Sequence, residues 1–344
     1  MIDRLSIKTC ELNIYNIKIS ILSNCDFTLE NLRKDFILYL SLGSDAESAN
    51  IRINIYKEKS PYSRIPAVEV SLYGRGFMVY RDKKKGLRYI DYGGKGLMIH
   101  SYPEETLEIY SEDENLLYEK SRLAILSRVG ELLDDRHLHR LHAVGFSNGS
   151  GGTICLLPME AGKTTLAMNI LKKDDTIKLL SEDVCFIDFK SHAYPFMLRI
   201  GVRDKDFVSG ISREFITEID RSYYGTKYLV DSSYFKDRIS GKEKIKNILI
   251  GKRVFQNETE IKRLSRLKCL GPFVQSGVFG LGLPQIVELF LRGGFFDVLR
   301  KIGIVFSRSL AFLILICRAD IYEIKIGRRP GHTTDELIKF IKKN

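Results

Sequence analysis

Hydrophobic and polar positions change their period twice along the chain. Up to about residue 105 they alternate: Leu12 and Ile14, then Ile17, Ile19 and Ile21, and later Ile51-Arg-Ile-Asn-Ile-Tyr56, Val68-Glu-Val-Ser-Leu-Tyr73 and Phe77-Met-Val-Tyr80. Period two in β-branched and aromatic residues predicts half-buried strands. Between them Leu29, Leu32, Phe36 and Leu40 recur at helical spacing, with Thr28 and Asn31 as capping residues, so Thr28–Leu40 reads as one helix. Arg81-Asp-Lys-Lys-Lys-Gly86 reads as a charged hairpin turn. From Glu114 to about His137 the period lengthens, placing Leu116, Leu123, Leu126, Val129 and Leu133 on one helix face. Beyond it come short apolar strands with glycine turns: Leu141–Phe146, the hairpin signal Asn148-Gly149, and Ile154–Leu157. These shifts divide the chain into a smaller α+β accessory domain over 1–112 and a larger α/β domain over 113–344.

In the larger domain, a tight turn with Gly162-Lys163-Thr164 follows the Ile154–Leu157 strand and opens a helix to Lys173. Two strand-like runs, Thr176–Leu180 and Val184–Asp188, are broken by Ser181-Glu182-Asp183. Ser222-Tyr-Tyr-Gly225 and Ser232-Ser-Tyr-Phe235 read as tyrosine-rich connections, and the basic stretches Lys242–Lys252 and Lys262–Lys268 as solvated faces. Pro284–Leu299 is expected to be a helix interrupted at Gly293-Gly294, and Leu310–Ile316 a buried strand. Thr333-Thr-Asp-Glu336 has the form of a capping box opening a last amphipathic helix through Leu337, Ile338 and Ile341.

Composition narrows the class. A chain of 344 residues with 44% hydrophobic and 10% aromatic residues can build two cores. The apolar runs Ile302–Phe306 and Leu310–Cys317 both fall short of the about 18 residues a membrane span needs, so both are assigned to the core. Six scattered cysteines without a C-x-x-C pair, and no signal-like start, lead us to expect a reduced, cytoplasmic protein. The net charge of +11 suits a polyanionic ligand such as a nucleotide or acidic peptide. No nucleic-acid recognition motif accompanies it.

The chemistry concentrates at the Gly162 turn. Backbone N–H groups at a helix start, with the helix dipole behind them, attract phosphate. There Lys163 would reach β- and γ-phosphates and Thr164 would hold Mg²⁺, with Gly162 and Thr165 completing the turn. Adjacent carboxylates 19 and 20 residues after Lys163, at Glu182 and Asp183, suit metal binding or proton abstraction from a hydroxyl. Gly162 is the single glycine between Thr153 and Lys163, so the turn departs from the usual glycine-rich phosphate loop.

Leu141-His142-Ala143, Leu156-Leu-Pro158, Gly162-Lys-Thr-Thr-Leu166, Leu180-Ser-Glu-Asp183 and Tyr194-Pro-Phe-Met-Leu-Arg-Ile-Gly201 together resemble the HPr kinase family, over roughly residues 115 to 330. The resemblance implies a phosphoenolpyruvate carboxykinase-like P-loop core: a mixed sheet with helices and the phosphate loop at its edge. It implies an ATP- and Mg²⁺-dependent kinase acting on a hydroxyl, most simply a serine, of a peptide or small protein. Glu182 would be the base, Asp183 a metal ligand, His142 a neighbour of the transferring group, and Lys163 the phosphate ligand. Arg199 and Arg203 would face phosphate or an acidic substrate. Homo-oligomers are a further implication. Ala143 stands where the family has glycine, Glu182 where it has aspartate, and the phosphate loop is shorter. The alternative expectation is a member that kept the fold and senses nucleotide or binds peptide without catalysis.

Overall fold

The computed structural model describes residues 7–41, 48–74, 76–158, 161–221, 225–278, 286, 289 and 295–344. It is a mixed α/β structure that divides into two compact units, 1–133 with 284–300, and 134–283 with 301–344. The division falls inside the long helix at Leu133 and Asp134, later than the change of period at residue 112 suggests. Two stretches expected from sequence, the 222–224 part of the first tyrosine-rich connection and most of Pro284–Leu299, lie outside the described residues.

In the first unit, strands β1 (Lys8–Ile14), β2 (Ile17–Ser23), β3 (Ile51–Lys57), β4 (Val70–Gly74), β5 (Phe77–Asp82), β6 (Leu87–Asp91), β7 (Leu97–Ser101) and β8 (Thr106–Ser111) form one sheet. Its order is β1-β2-β3-β8-β7-β6-β5-β4, with β2-β3 and β3-β8 parallel and the other pairs antiparallel. The alternation does what period two requires: Ile51, Ile53 and Ile55 are buried while their neighbours are not. Helix α1 (Asp26–Asp35) buries Leu29 and Leu32. It starts earlier than expected, and a short 3₁₀ turn (Ile37–Tyr39) replaces its last turn. Thr28 and Asn31 are buried inside it instead of capping it, and Asn31 Nδ2 donates to Phe27 O at 2.9 Å. Helix α2 (Glu114–Asp135) follows β8 as the sequence predicts.

The second unit is built on β9 (His139–His142), β10 (Val144–Ser147), β11 (Gly152–Leu156), β12 (Lys178–Ser181), β13 (Val184–Ile187), β14 (His192–Phe196), β18 (Glu243–Arg253), β19 (Glu260–Arg263) and β20 (Asp320–Ile326). The order β12-β10-β11-β18-β14-β13-β9 makes β11 an interior strand, with β20 also joined to β18. Strands β11, β18 and β20 run parallel, so their C-terminal ends share one edge. A smaller sheet, β15-β17-β16, is made from β15 (Ile200–Val202), β16 (Ile216–Arg221) and β17 (Gly225–Val230). Asn148-Gly149 turns the β10–β11 hairpin, with Gly149 at φ +83°. The expected Leu141–Phe146 strand is instead two strands parted at Ala143, because β9 pairs with β13 and β10 with β11 and β12.

Helices α3 (Lys163–Lys173), α4 (Leu270–Phe273), α5 (Phe295–Arg318) and α6 (Pro330–Lys343) complete the fold. Helix α5 corrects the expected strand at Leu310–Ile316. Ala311, Phe312, Leu315 and Ile316 are buried at three- and four-residue spacing, which a strand cannot present on one side. The same helix corrects the assignment of Ile302–Phe306 to the core, since Ile302 is 59% and Phe306 70% exposed. Helix α6 begins at Pro330, whose missing N–H costs nothing at a first helical position. Thr333 therefore lies within the helix, not at its cap, and its hydroxyl meets that of Thr259 at 2.7 Å.

Among the described residues no helix is long and apolar enough to cross a membrane. All six cysteines are unpaired thiols; five are buried and Cys317 is exposed. Burial pushes Cys155 on β11 and Cys185 on β13 up to about 12.

Candidate functional site

Strand pairing assembles the expected residues from three places in the chain. The β9–β13 register sets His142 opposite Val184, next to Asp183. Ala143 N donates to Asp183 O at 3.0 Å, and Ser181 Oγ donates to Ala143 O at 2.7 Å. The Glu182-Asp183 turn is thereby pinned to the β9–β10 break. From the other side, β11 delivers the Gly162 turn.

Gly162 caps α3 at φ +92° with no side-chain cap, and Leu166 N closes the first helical bond onto Gly162 O at 2.9 Å. The amides of Lys163, Thr164 and Thr165 fall in the first turn, where a helix supplies them no carbonyl. Lys163 Nζ donates to Leu157 O at 3.3 Å, drawing the ammonium across the turn. Burial lowers the Lys163 pKa, and the carboxylates of Asp183 and Glu182 oppose that shift. Met159 and Glu160 of the turn lie outside the described residues.

The two carboxylates have different partners. Thr164 Oγ1 donates to Glu182 Oε1. Burial, followed by the charge of Asp183, pushes Glu182 up to about 7, against the pull of the Thr164 bond and of Lys227 and Lys163. Asp183 is more open, with its side chain 42% exposed, and its Oδ1 lies 3.2 Å from His142 Nδ1. That contact is within ion-pair distance but off the angle of a hydrogen bond, and the Nε2 of His142 is buried without a hydrogen-bond partner among the described residues. Burial lowers the His142 pKa; Asp183 pulls it up and Lys163 adds to the lowering. The net lowering favours the neutral imidazole.

Two cations join the site that no sequence motif marks. Lys227 on β17 reaches Glu182 because Gly201 on β15 has no side chain: a Cβ there would lie 2.4 Å from Lys227 Nζ. Arg253, the last residue of β18, donates from Nε to Ala161 O at 3.4 Å, and its Nη2 would stand 3.3 Å from a Cβ at Gly162. Its only sequence signal is its place at the end of the strand parallel to β11. Lys227 has none, since the three-stranded pairing must be known first. Of the expected arginines, Arg199 is buried just ahead of β15 and Arg203 is exposed just after it, so the two flank the strand that packs against α3.

A small cleft of about 60 Å³ opens at the shared C-terminal edge of β11, β18 and β20. Thr165 and Asn169 of α3, Arg253, Arg328 and Thr334 line it, so the starts of α3 and α6 both face it. Open α/β sheets place ligands beyond the carboxyl ends of their parallel strands. No cluster of three metal-ligating His, Cys, Asp or Glu side chains occurs among the described residues. Thr164 and Glu182 nonetheless suit Mg²⁺, which takes one or two protein oxygens and fills its other positions with water and phosphate.

Ser307, His139 and Asp134 also line up. Ser307 Oγ is 2.9 Å from His139 Nε2, and His139 Nδ1 is 3.0 Å from Asp134 Oδ1. The spacing is that of a nucleophilic triad, but Ser307 lies mid-helix in α5, where the amides are committed to helical bonds and offer no oxyanion donors. Arg308 also holds Asp134, donating from Nε at 3.0 Å and from Nη2. The cluster ties α5 to β9.

The chain matches no protein-family model and no curated protein sequence.

Proposed function

We propose that this protein is an ATP- and Mg²⁺-dependent kinase, similar in mechanism to HPr kinases, that phosphorylates a hydroxyl, most simply a serine, on a peptide or small protein. One observation carries the reading: Thr164–Glu182 and His142–Asp183 converge on the start of α3 beside Lys163. A phosphate-binding helix start alone is common; beside two differently partnered carboxylates it fits phosphoryl transfer.

The first-turn amides of α3, Lys163 and Arg253 bind the ATP phosphates, and the cleft toward Arg328 takes the nucleoside. Thr164 and Glu182 would hold Mg²⁺, which when bound neutralises charge on the β- and γ-phosphates. The partner pattern favours the reverse of the carboxylate roles the resemblance implies. Glu182 is engaged with the metal-side hydroxyl, whereas Asp183 is open to solvent. Asp183 accepts the proton of the substrate hydroxyl, whose oxygen attacks the γ-phosphorus as ADP leaves. His142 stands beside that carboxylate, and its Nδ1, turned to donate, would hold Asp183 in place for the proton transfer.

The second reading, a nucleotide sensor without catalysis, is supported by Lys163, whose ammonium is folded onto the loop carbonyl of Leu157. Thermal unfolding with and without MgATP, on wild type beside Lys163→Ala, separates the two when paired with an assay of ADP release. Stabilisation of about 2.7 kcal/mol at a hundred times Kd is expected for wild type alone. Turnover by Lys163→Ala equal to wild type would sink the kinase reading; stabilisation without turnover on any tested peptide would favour the sensor.

A further inference from the structure

The eight-stranded sheet of the first unit has two unlike ends. At β1 the edge is closed: Ser41 N donates to Glu11 O at 3.0 Å, and Leu12 bridges to Leu40. At β4 the sheet ends on a strand with no further strand beside it among the described residues. Every residue of β4 is exposed, and its sequence, Val-Ser-Leu-Tyr-Gly, carries no charge and no proline. Proteins usually guard such an edge with lysine, proline or a covering segment, because its unpaired backbone groups are a template for another strand. Among the described residues the bulge between Val70 and Leu72 is the one guard present, and it leaves Leu72–Gly74 open.

The surroundings favour one occupant. Tyr73 is 82% exposed, and Met78, paired directly opposite it on β5, stands out on the same face, offering apolar contacts to alternate residues of an added strand. Val70 and Ser71 share a cleft with Arg81, Lys83 and Lys84 from the end of β5 and its turn, alongside Glu69 and Asp82; the turn amides of Lys84 and Lys85 donate to Asp82 Oδ1 at 3.0 and 3.1 Å, and the cations outnumber the carboxylates there. Lysines at that end favour negative residues in the incoming chain and disfavour a second copy of this basic protein, which carries a net charge of +11.

We propose that the β4 edge binds an extended acidic polypeptide segment as a ninth strand, in which apolar residues alternate with Asp or Glu. Backbone hydrogen bonds along Leu72–Gly74 give the pairing, and Lys83 and Lys84 select for the acidic residues. This site stands apart from nucleotide chemistry, and its test uses no nucleotide.

The probe is a fluorescein-labelled dodecapeptide of alternating Glu and Val, followed by anisotropy on the full chain, beside a Lys/Val peptide and a Glu/Val peptide N-methylated at alternate amides. The Glu/Val peptide is expected to bind at least tenfold more tightly than either control. Lys83→Glu with Lys84→Glu should weaken it severalfold, and added salt should do the same. Equal binding of the N-methylated peptide would overturn strand addition, and equal binding of the Lys/Val peptide would overturn the charge selection. Sedimentation of the free protein as a dimer that Tyr73→Glu dissociates would assign the edge to a second copy instead.

Discussion

The hydroxyl of Thr164 donates to the carboxylate of Glu182, so the first turn of α3 and the β12–β13 turn are joined through the two groups best suited to a hard cation. This bond, with the separate approach of Asp183 to His142, gives the two adjacent carboxylates different work.

Glu182 should make stability depend on pH. Its carboxyl is raised to about 7 from an ordinary 4.5, so between those values the folded protein holds a proton that the unfolded chain has lost. The sign follows: this contribution is complete below about 4.5 and disappears as pH rises through about 7, a change of up to about 3 kcal/mol. Glu182→Gln, which keeps the shape and removes the titration, should therefore gain stability over wild type at pH 8 and little at pH 5. Urea unfolding at the two pH values measures this. In kinetics the same variant should raise KM for MgATP, whereas Asp183→Asn should lower kcat by about 10² to 10⁴ with MgATP stabilisation kept. The opposite split would return the base to Glu182.

Arg253 should act on nucleotide binding and not on folding. Its Nε bond to Ala161 O is long at 3.4 Å, and the guanidinium lies over the Gly162 turn with room to meet phosphate. Arg253→Ala is expected to weaken MgATP by about 1.5 to 3 kcal/mol, the range of a charged hydrogen bond, with the melting temperature of the free protein little changed. Calorimetric titration reads the first and a thermal scan the second.

The Asp134 cluster should behave in the opposite way. Burial pushes this carboxyl up, but the His139 bond and the Arg308 and Arg140 guanidiniums outweigh it and hold the carboxyl below its usual range. Arg308→Met would leave a buried charge short of its main partner, at a cost of about 3 to 5 kcal/mol. Asp134→Asn combined with Arg308→Met should recover part of that loss. Denaturant titrations of the single and double variants test it.

The sequence makes the hairpins, the long helix α2 and the strand–turn–helix of the site legible because each is decided within a few residues. Asn148-Gly149 needs only its own φ preferences, and Gly162-Lys163-Thr164 needs only the strand and helix beside it. Helix α5 is misread for a physical reason. Its run Leu310–Cys317 is apolar on every side, so periodicity vanishes, and only tertiary packing decides which residues turn inward. The same limit hides Lys227. It stands 45 residues after Glu182 in the chain, and its approach depends on β15 pairing with β17 and on the bare backbone of Gly201.

The cysteines turn the sheet into its own reporter. Cys155 and Cys185 sit on the two strands that carry the Gly162 turn and the Glu182-Asp183 turn, and burial keeps both thiols protonated and inert. Cys317 at the surface supplies a reference that any alkylating reagent reaches first. Modification of the two inner thiols can then proceed only while those strands are parted, so its rate, followed by mass spectrometry, clocks the breathing of the sheet beneath the Gly162 turn.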